Sequence, residues 1–130
     1  MVGLVIVSHS AKIAEGIREF ALELTKPDQR ILTAGGLSDG ALGTDATRIS
    51  AAIEAADSGD GVVVLVDLGS GVLSAETALE FLDPQQAART RIADAPLVEG
   101  AIAAAVEASV GAPLVEVVQA AEDARELHKR

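Results

Sequence analysis

The chain has 130 residues, no cysteine and a net charge of −10, from 20 acidic and 10 basic side chains. No disulfide, thiolate nucleophile or cysteine-held metal is available to it, and a field of that sign argues against nucleic acid as a partner. Aromatic residues make up 2%, with no Trp or Tyr, so stacking platforms for bases, flavins or sugars are argued against as well.

A chain of this length fits one domain, taken as residues 1–130. Its first residues, MVGLVIV, lack a basic region, and the apolar run is too short to span a membrane. The reading is a soluble, cytoplasmic protein. The acidic charge serves solubility or presents an acidic face to a basic partner protein.

GLVIV at 3–7 is continuous and β-branched, the pattern of a strand buried on both faces. From residue 11 the period becomes helical, with Ile13, Ile17, Phe20, Ala21 and Leu24 on one stripe, Ser10 as N-cap and Pro27 as the stop. RILTA at 30–34 reads as a short strand, and GGLSDGALGTD at 35–45 as a loop. A second helix follows with Ile49, Ala52, Ile53 and Ala56 inward, then a turn over Asp57–Gly61. GVVVLVD at 61–67 is the clearest strand, and LGSG at 68–71 leads into a helix reaching Leu82, with Ala75, Ala78, Leu79 and Leu82 inward.

RTRIA at 89–93 is a weaker strand, and residues 84–93 read nearly as well as helix. Pro96 opens a helix with Leu97, Val98, Ala101, Ile102, Ala105 and Val106 inward, which Gly111 ends. Pro113 opens the last helix, with Leu114, Val117, Val118 and Ala121 inward, before a charged tail that holds His128, read as solvated. Strands alternating with helices predict an open three-layer α/β sandwich. Its parallel sheet is covered by helices on both faces, and its four strands are taken in the order 2-1-3-4, with strands 2 and 3 placed on opposite sides of strand 1.

Ligands of open parallel sheets bind beyond the carboxyl ends of the strands, where the strand order reverses. With strands 2 and 3 on opposite sides of strand 1, that edge carries Ser8-His9-Ser10, Asp67-Leu68-Gly69-Ser70 and the loop at 35–45. Neighbouring strands lie about 4.8 Å apart, so His9 and Asp67 come within reach of each other. A carboxylate on one imidazole nitrogen sets the tautomer and leaves the other nitrogen bare. The first turns of the helices after His9 and after Gly69 aim main-chain N–H groups at the same space, an anion cradle. Nucleophile, orienting carboxylate and cradle together point to phosphoryl transfer through a phosphohistidine.

Other chemistries lack their residues. A receiver domain needs an acidic pair after strand 1, where this chain has Ser8-His9. A zinc site needs about three protein ligands, and only His9, Asp39 and Asp67 stand in the converging loops. GKS or GKT and GxGxxG are absent.

GLVIVSHS…AEG at 3–16, GG…DG..GT at 35–44, VDLGS at 66–70 with Glu76 after it, and DAPLVEGA at 94–101 occur in that order. Together these blocks resemble the DhaM-type phosphocarrier subunits of phosphoenolpyruvate-dependent dihydroxyacetone kinases. Their domain is similar to the IIA domain of mannose-family sugar phosphotransferase systems. The resemblance implies a homodimer in which His9 takes a phosphoryl group from the carrier protein HPr and passes it to ADP on a DhaL-type subunit. The ATP formed there phosphorylates dihydroxyacetone on a DhaK-type subunit. It maps Asp67 onto the acidic position that hydrogen-bonds the histidine. The loop at 35–44, with Gly36, Asp39, Gly40 and Thr44, maps onto the rim of the site. Main-chain groups near Ser10, Gly69, Ser70 and the loop at 35–44, with the hydroxyls of Ser8 and Thr44, are the expected contacts of the phosphoryl oxygens.

No cofactor or metal is expected on this chain, and magnesium belongs with the nucleotide on the partner. Some members of the family continue into HPr-like and enzyme-I-like domains, so separate donor proteins are expected here. DLGSG…SAE favours the dihydroxyacetone branch over the sugar branch, in which the acceptor is a IIB domain. A module that binds phosphate or an acidic metabolite without turnover is the remaining reading.

Overall fold

Apolar β-branched strands with no polar face must be covered on both sides. In the structure, a computed structural model that describes residues 1–130, they are. Strands β1 (Gly3–Ser8), β2 (Ile31–Gly35), β3 (Val62–Val66) and β4 (Thr90–Ile92) pair in parallel in the order β2-β1-β3-β4. This is the predicted order. Every residue of β1 and β3 is buried.

Side chains alternate across the sheet. Leu4, Ile6, Ile31, Val63 and Leu65 face a layer made of α1 (Ala11–Leu22), α5 (Leu97–Ser109) and α6 (Leu114–Asp123). Val5, Val7, Val62, Val64 and Val66 face α2 (Ala46–Ala56) and α3 (Gly69–Glu80). Residues 84–93 satisfy both readings in turn. Asp83 caps a short helix, α4 (Pro84–Ala88), and β4 follows it. A 3₁₀ turn at Ala124–Glu126 precedes the tail, where His128 is exposed.

Two helices are rotated from the expected stripe. The buried face of α1 is Ala14, Ile17 and Ala21, while Ile13 and Phe20 are 51% and 53% exposed. In α5 the buried residues include Gly100, Ala101, Ala104, Ala105 and Ala108, while Val98 and Val106 are 45% and 42% exposed. Close approach is the reason. A Cβ at Gly35 would lie 2.7 Å from the Cα of Ala11 and 2.9 Å from the Cβ of Ala14, and one at Gly100 would lie 2.9 Å from the Cβ of Ala95. Small residues therefore take the contact, and larger apolar ones are displaced to an outer groove of about 570 Å³ lined by Phe20, Val98, Ile102, Val106 and Leu127.

The amino-terminal edge of the sheet is closed by Asp57, whose side chain is 2% exposed. Its carboxylate accepts from Arg89 at 2.7 and 2.8 Å, from the Gln86 amide at 3.0 Å and from the Gly59 N–H at 2.8 Å. Burial pushes this carboxyl up, but those donors outweigh it and hold it at about 2. The carboxyl-terminal edge is built differently. Ser8, Gly35 and Val66 end adjacent strands there, and three segments leave the sheet side by side.

Candidate active site

β1 ends at Ser8 and β3 at Val66, so His9 and Asp67 are the first residues past two paired strands. The Asp67 N–H donates to the Val7 carbonyl at 3.2 Å, which extends the ladder by one bond and fixes Asp67 beside the β1 exit. Its carboxylate then accepts four hydrogen bonds, two on each oxygen. Oδ1 accepts from His9 Nδ1–H at 2.9 Å and from the Leu68 N–H at 2.8 Å. Oδ2 accepts from the His9 main-chain N–H at 2.9 Å and from the Ser8 hydroxyl at 2.9 Å. Burial pushes the Asp67 carboxyl up, yet the His9 main-chain N–H, the His9 ring and the Ser8 hydroxyl together hold it below its ordinary range. It is an ionised acceptor at neutral pH.

An acceptor-only carboxylate assigns the tautomer of His9. Nδ1 carries the proton and Nε2 keeps its lone pair. Nε2 points outward, where the Ser70 hydroxyl donates to it at 2.7 Å. The His9 side chain is 26% exposed and Asp67 16%, so the ring is reachable while its anchor is covered. This arrangement orients the ring and turns Nε2 towards the accessible side of the site.

The residues around it divide into two shells of contact. Ser8 is fully buried, and its oxygen also accepts the Ser10 N–H at 3.1 Å, so this hydroxyl serves Asp67 and faces no open space. Ser10 accepts from the Ile13 N–H at 3.3 Å as the N-cap of α1. Gly69 and Ser70 open α3, whose N-cap Leu68 has no capping side chain, unlike those of α1, α2 and α4. Gly71 packs against the ring: a Cβ there would come 3.6 Å from His9 Cε1, 3.5 Å from Asp67 Oδ1 and 2.6 Å from Val66 Cγ1. Gly71 was not among the residues expected at the site, although its spacing in GSG is the visible sign of a close approach.

The loop from Gly36 to Thr44 is strapped to the same segment. The Gly36 N–H donates to the Ser8 carbonyl at 3.1 Å and the Gly43 N–H to the His9 carbonyl at 2.9 Å. Gly36 needs its glycine, with φ at +68°. Arg48 of α2 donates to the Gly35 and Gly36 carbonyls at 3.2 and 2.9 Å. Asp39 accepts from the Ala41 N–H at 2.9 Å, and the Gly40 N–H donates to the Leu37 carbonyl at 3.0 Å, so both bond within the loop. The Thr44 hydroxyl pairs with that of Ser74 at 2.6 Å, tying the loop to α3. Beside Asp67 a cleft of about 420 Å³ opens between α3 and the β4 exit, rimmed by Leu68, Glu76 and Asp94.

A family model described as EIIA-man, the PTS system fructose IIA component, matches residues 3–119. The chain belongs to the EIIA-man family. Among curated relatives, a DhaM phosphoryl donor subunit of a PEP-dependent dihydroxyacetone kinase from Listeria innocua is 43% identical, over 92% of this chain and 95% of its own. A protein of the same name from Klebsiella michiganensis is 46% identical over 97% of this chain and 27% of its own. The EIIA-man chain described here thus spans about a quarter of the length of that relative. The crystal structure of EF1359, a protein of unknown function, superimposes with a TM-score of 0.84 at 38% identity, covering 95% of each chain.

Proposed function

We propose that this EIIA-man chain is a phosphocarrier of the dihydroxyacetone kinase type. The observation that carries the reading is the pair of contacts on one ring, Nδ1–H on Asp67 and a bare Nε2 at the uncapped start of α3. Kinship with DhaM phosphoryl donor subunits supports it.

In the reaction proposed, Nε2 of His9 attacks the phosphorus of phosphorylated HPr in line. The new N–P bond forms as the N–P bond of the donor breaks, and the electron pair returns to the donor's imidazole. His9 keeps its Nδ1 proton, so the loaded ring gains positive charge, which the Asp67 carboxylate offsets. The N–H groups of Gly69 and Ser70, at the positive end of the α3 dipole, suit the phosphoryl oxygens. In the second half-reaction ADP on a DhaL-type subunit takes the group, with magnesium held there. The ATP formed serves a DhaK-type subunit. A homodimer in the cytoplasm completes the reading. The family description names a sugar system, which favours as a second reading transfer to a IIB domain.

The test is incubation with enzyme I, HPr and labelled phosphoenolpyruvate. The protein takes up acid-labile label, His9→Ala does not, and a His9→Ala protein labelled like wild type ends the proposal. Chasing the label into ADP on a DhaL-type subunit or into a IIB domain separates the two readings.

A further inference from the structure

The Ser70 hydroxyl stands where the phosphorus must arrive. A neutral imidazole has one lone pair on its bare nitrogen, and here it is taken by a hydrogen bond of 2.7 Å from Ser70 Oγ. In-line attack needs the electrophile on that same axis, at about 3–3.5 Å. Oγ and phosphorus cannot share it. The hydroxyl has to leave Nε2 before the N–P bond forms.

The surroundings allow it to leave. Ser70 is exposed in the first turn of α3, and a Cβ at Gly69 would meet nothing within 4 Å. No capping side chain constrains this end of the helix. The neighbouring hydroxyls do not compete, because Thr44 and Ser74 are bonded to each other and Ser8 to Asp67. A turn about χ1 releases Nε2 and leaves the O–H beside the incoming group.

Building on the phosphocarrier reading, we infer that Ser70 masks Nε2 at rest and hands its hydrogen bond to a phosphoryl oxygen during transfer. The proton stays on Oγ throughout, and Ser70 is neither acid nor base. Only the acceptor changes, from a neutral ring nitrogen to a charged oxygen, and charge-assisted bonds of this kind are the stronger ones. The bond is thus better in the transition state than in the free protein, which is the condition for lowering the barrier. Ser70 is on this account a catalytic residue, and its hydroxyl has opposite effects on two kinds of electrophile.

Ser70→Ala tests this with two reagents. Iodoacetamide alkylates Nε2 without oxygens that gain charge, and its rate on His9, compared on the pH-independent plateau, should rise several-fold. Phosphoryl transfer from phosphorylated HPr should fall in kcat by about tenfold to a hundredfold, with KM little changed. Ser70→Thr should restore both. Parallel loss of both rates marks a structural role and overturns the hand-over, as does wild-type behaviour with either reagent. Wild-type protein that takes no label from phosphorylated HPr at His9 removes the carrier reading itself, and the hand-over falls with it.

Discussion

Asp67 grips His9 at two points, the main-chain N–H and Nδ1, so one carboxylate sets both the ring's orientation and its tautomer. An amide cannot do the same. In Asp67→Asn, an NH₂ in place of Oδ1 faces Nδ1 and drives the proton to Nε2, and an NH₂ in place of Oδ2 faces the His9 N–H. The variant should keep its fold and transfer more slowly by about 10²-fold to 10⁴-fold, as for other His–Asp pairs. Ring ¹⁵N shifts report the tautomer, and an unchanged transfer rate would refute the orienting role. This pair is legible in the sequence because parallel strands 1 and 3 must release both residues at one edge. The duty of Ser8 is not legible, since a strand residue's side-chain direction depends on where pairing stops. Ser8 and Thr44, expected at the phosphoryl group, are bonded to Asp67 and Ser74.

At the scale of elements, two helical glycines should respond in opposite ways. Gly16 in α1 has open space where a Cβ would go, so Gly16→Ala should stabilise the protein by about 0.5–1 kcal/mol. Gly71 in α3 has Val66 Cγ1 at 2.6 Å from that position. Gly71→Ala should cost about 1–3 kcal/mol and slow transfer by displacing the ring. Thermal unfolding orders them, and a Gly71→Ala protein as stable as Gly16→Ala would contradict the close packing. The same closeness explains what periodicity misreads. The pattern Ile13, Ile17, Phe20, Leu24 carries the right period for α1, but its rotation is settled by the distance to β2, which only Ala11, Ala14 and Gly35 permit. Spacing predicts that a helix is amphipathic, whereas interatomic distance decides which residues may touch.

Over the whole molecule, the buried carboxylate of Asp57 sets a loss of stability at low pH. Asp57 has a folded value of about 2 against an ordinary 3.8. A carboxyl depressed by folding adds stability that is present above 3.8 and lost as pH falls towards 2, here about 2 kcal/mol. Asp57→Asn should flatten that part of the stability curve, and Arg89→Ala should cost about 3 kcal/mol at neutral pH by stranding a buried charge. Urea unfolding between pH 2 and 7 measures both, and an Asp57→Asn curve as steep as wild type would exclude this origin. The bare amides that begin α3 bear on a different property. On the proposed function, seating an anion on those amides is expected to stiffen that turn while the sheet beneath stays unchanged. The two charge states of such a carrier therefore differ in the mobility of a few surface atoms next to the reactive ring. On that reading, a protein that delivers and another that collects would each tell full from empty by touching that one turn.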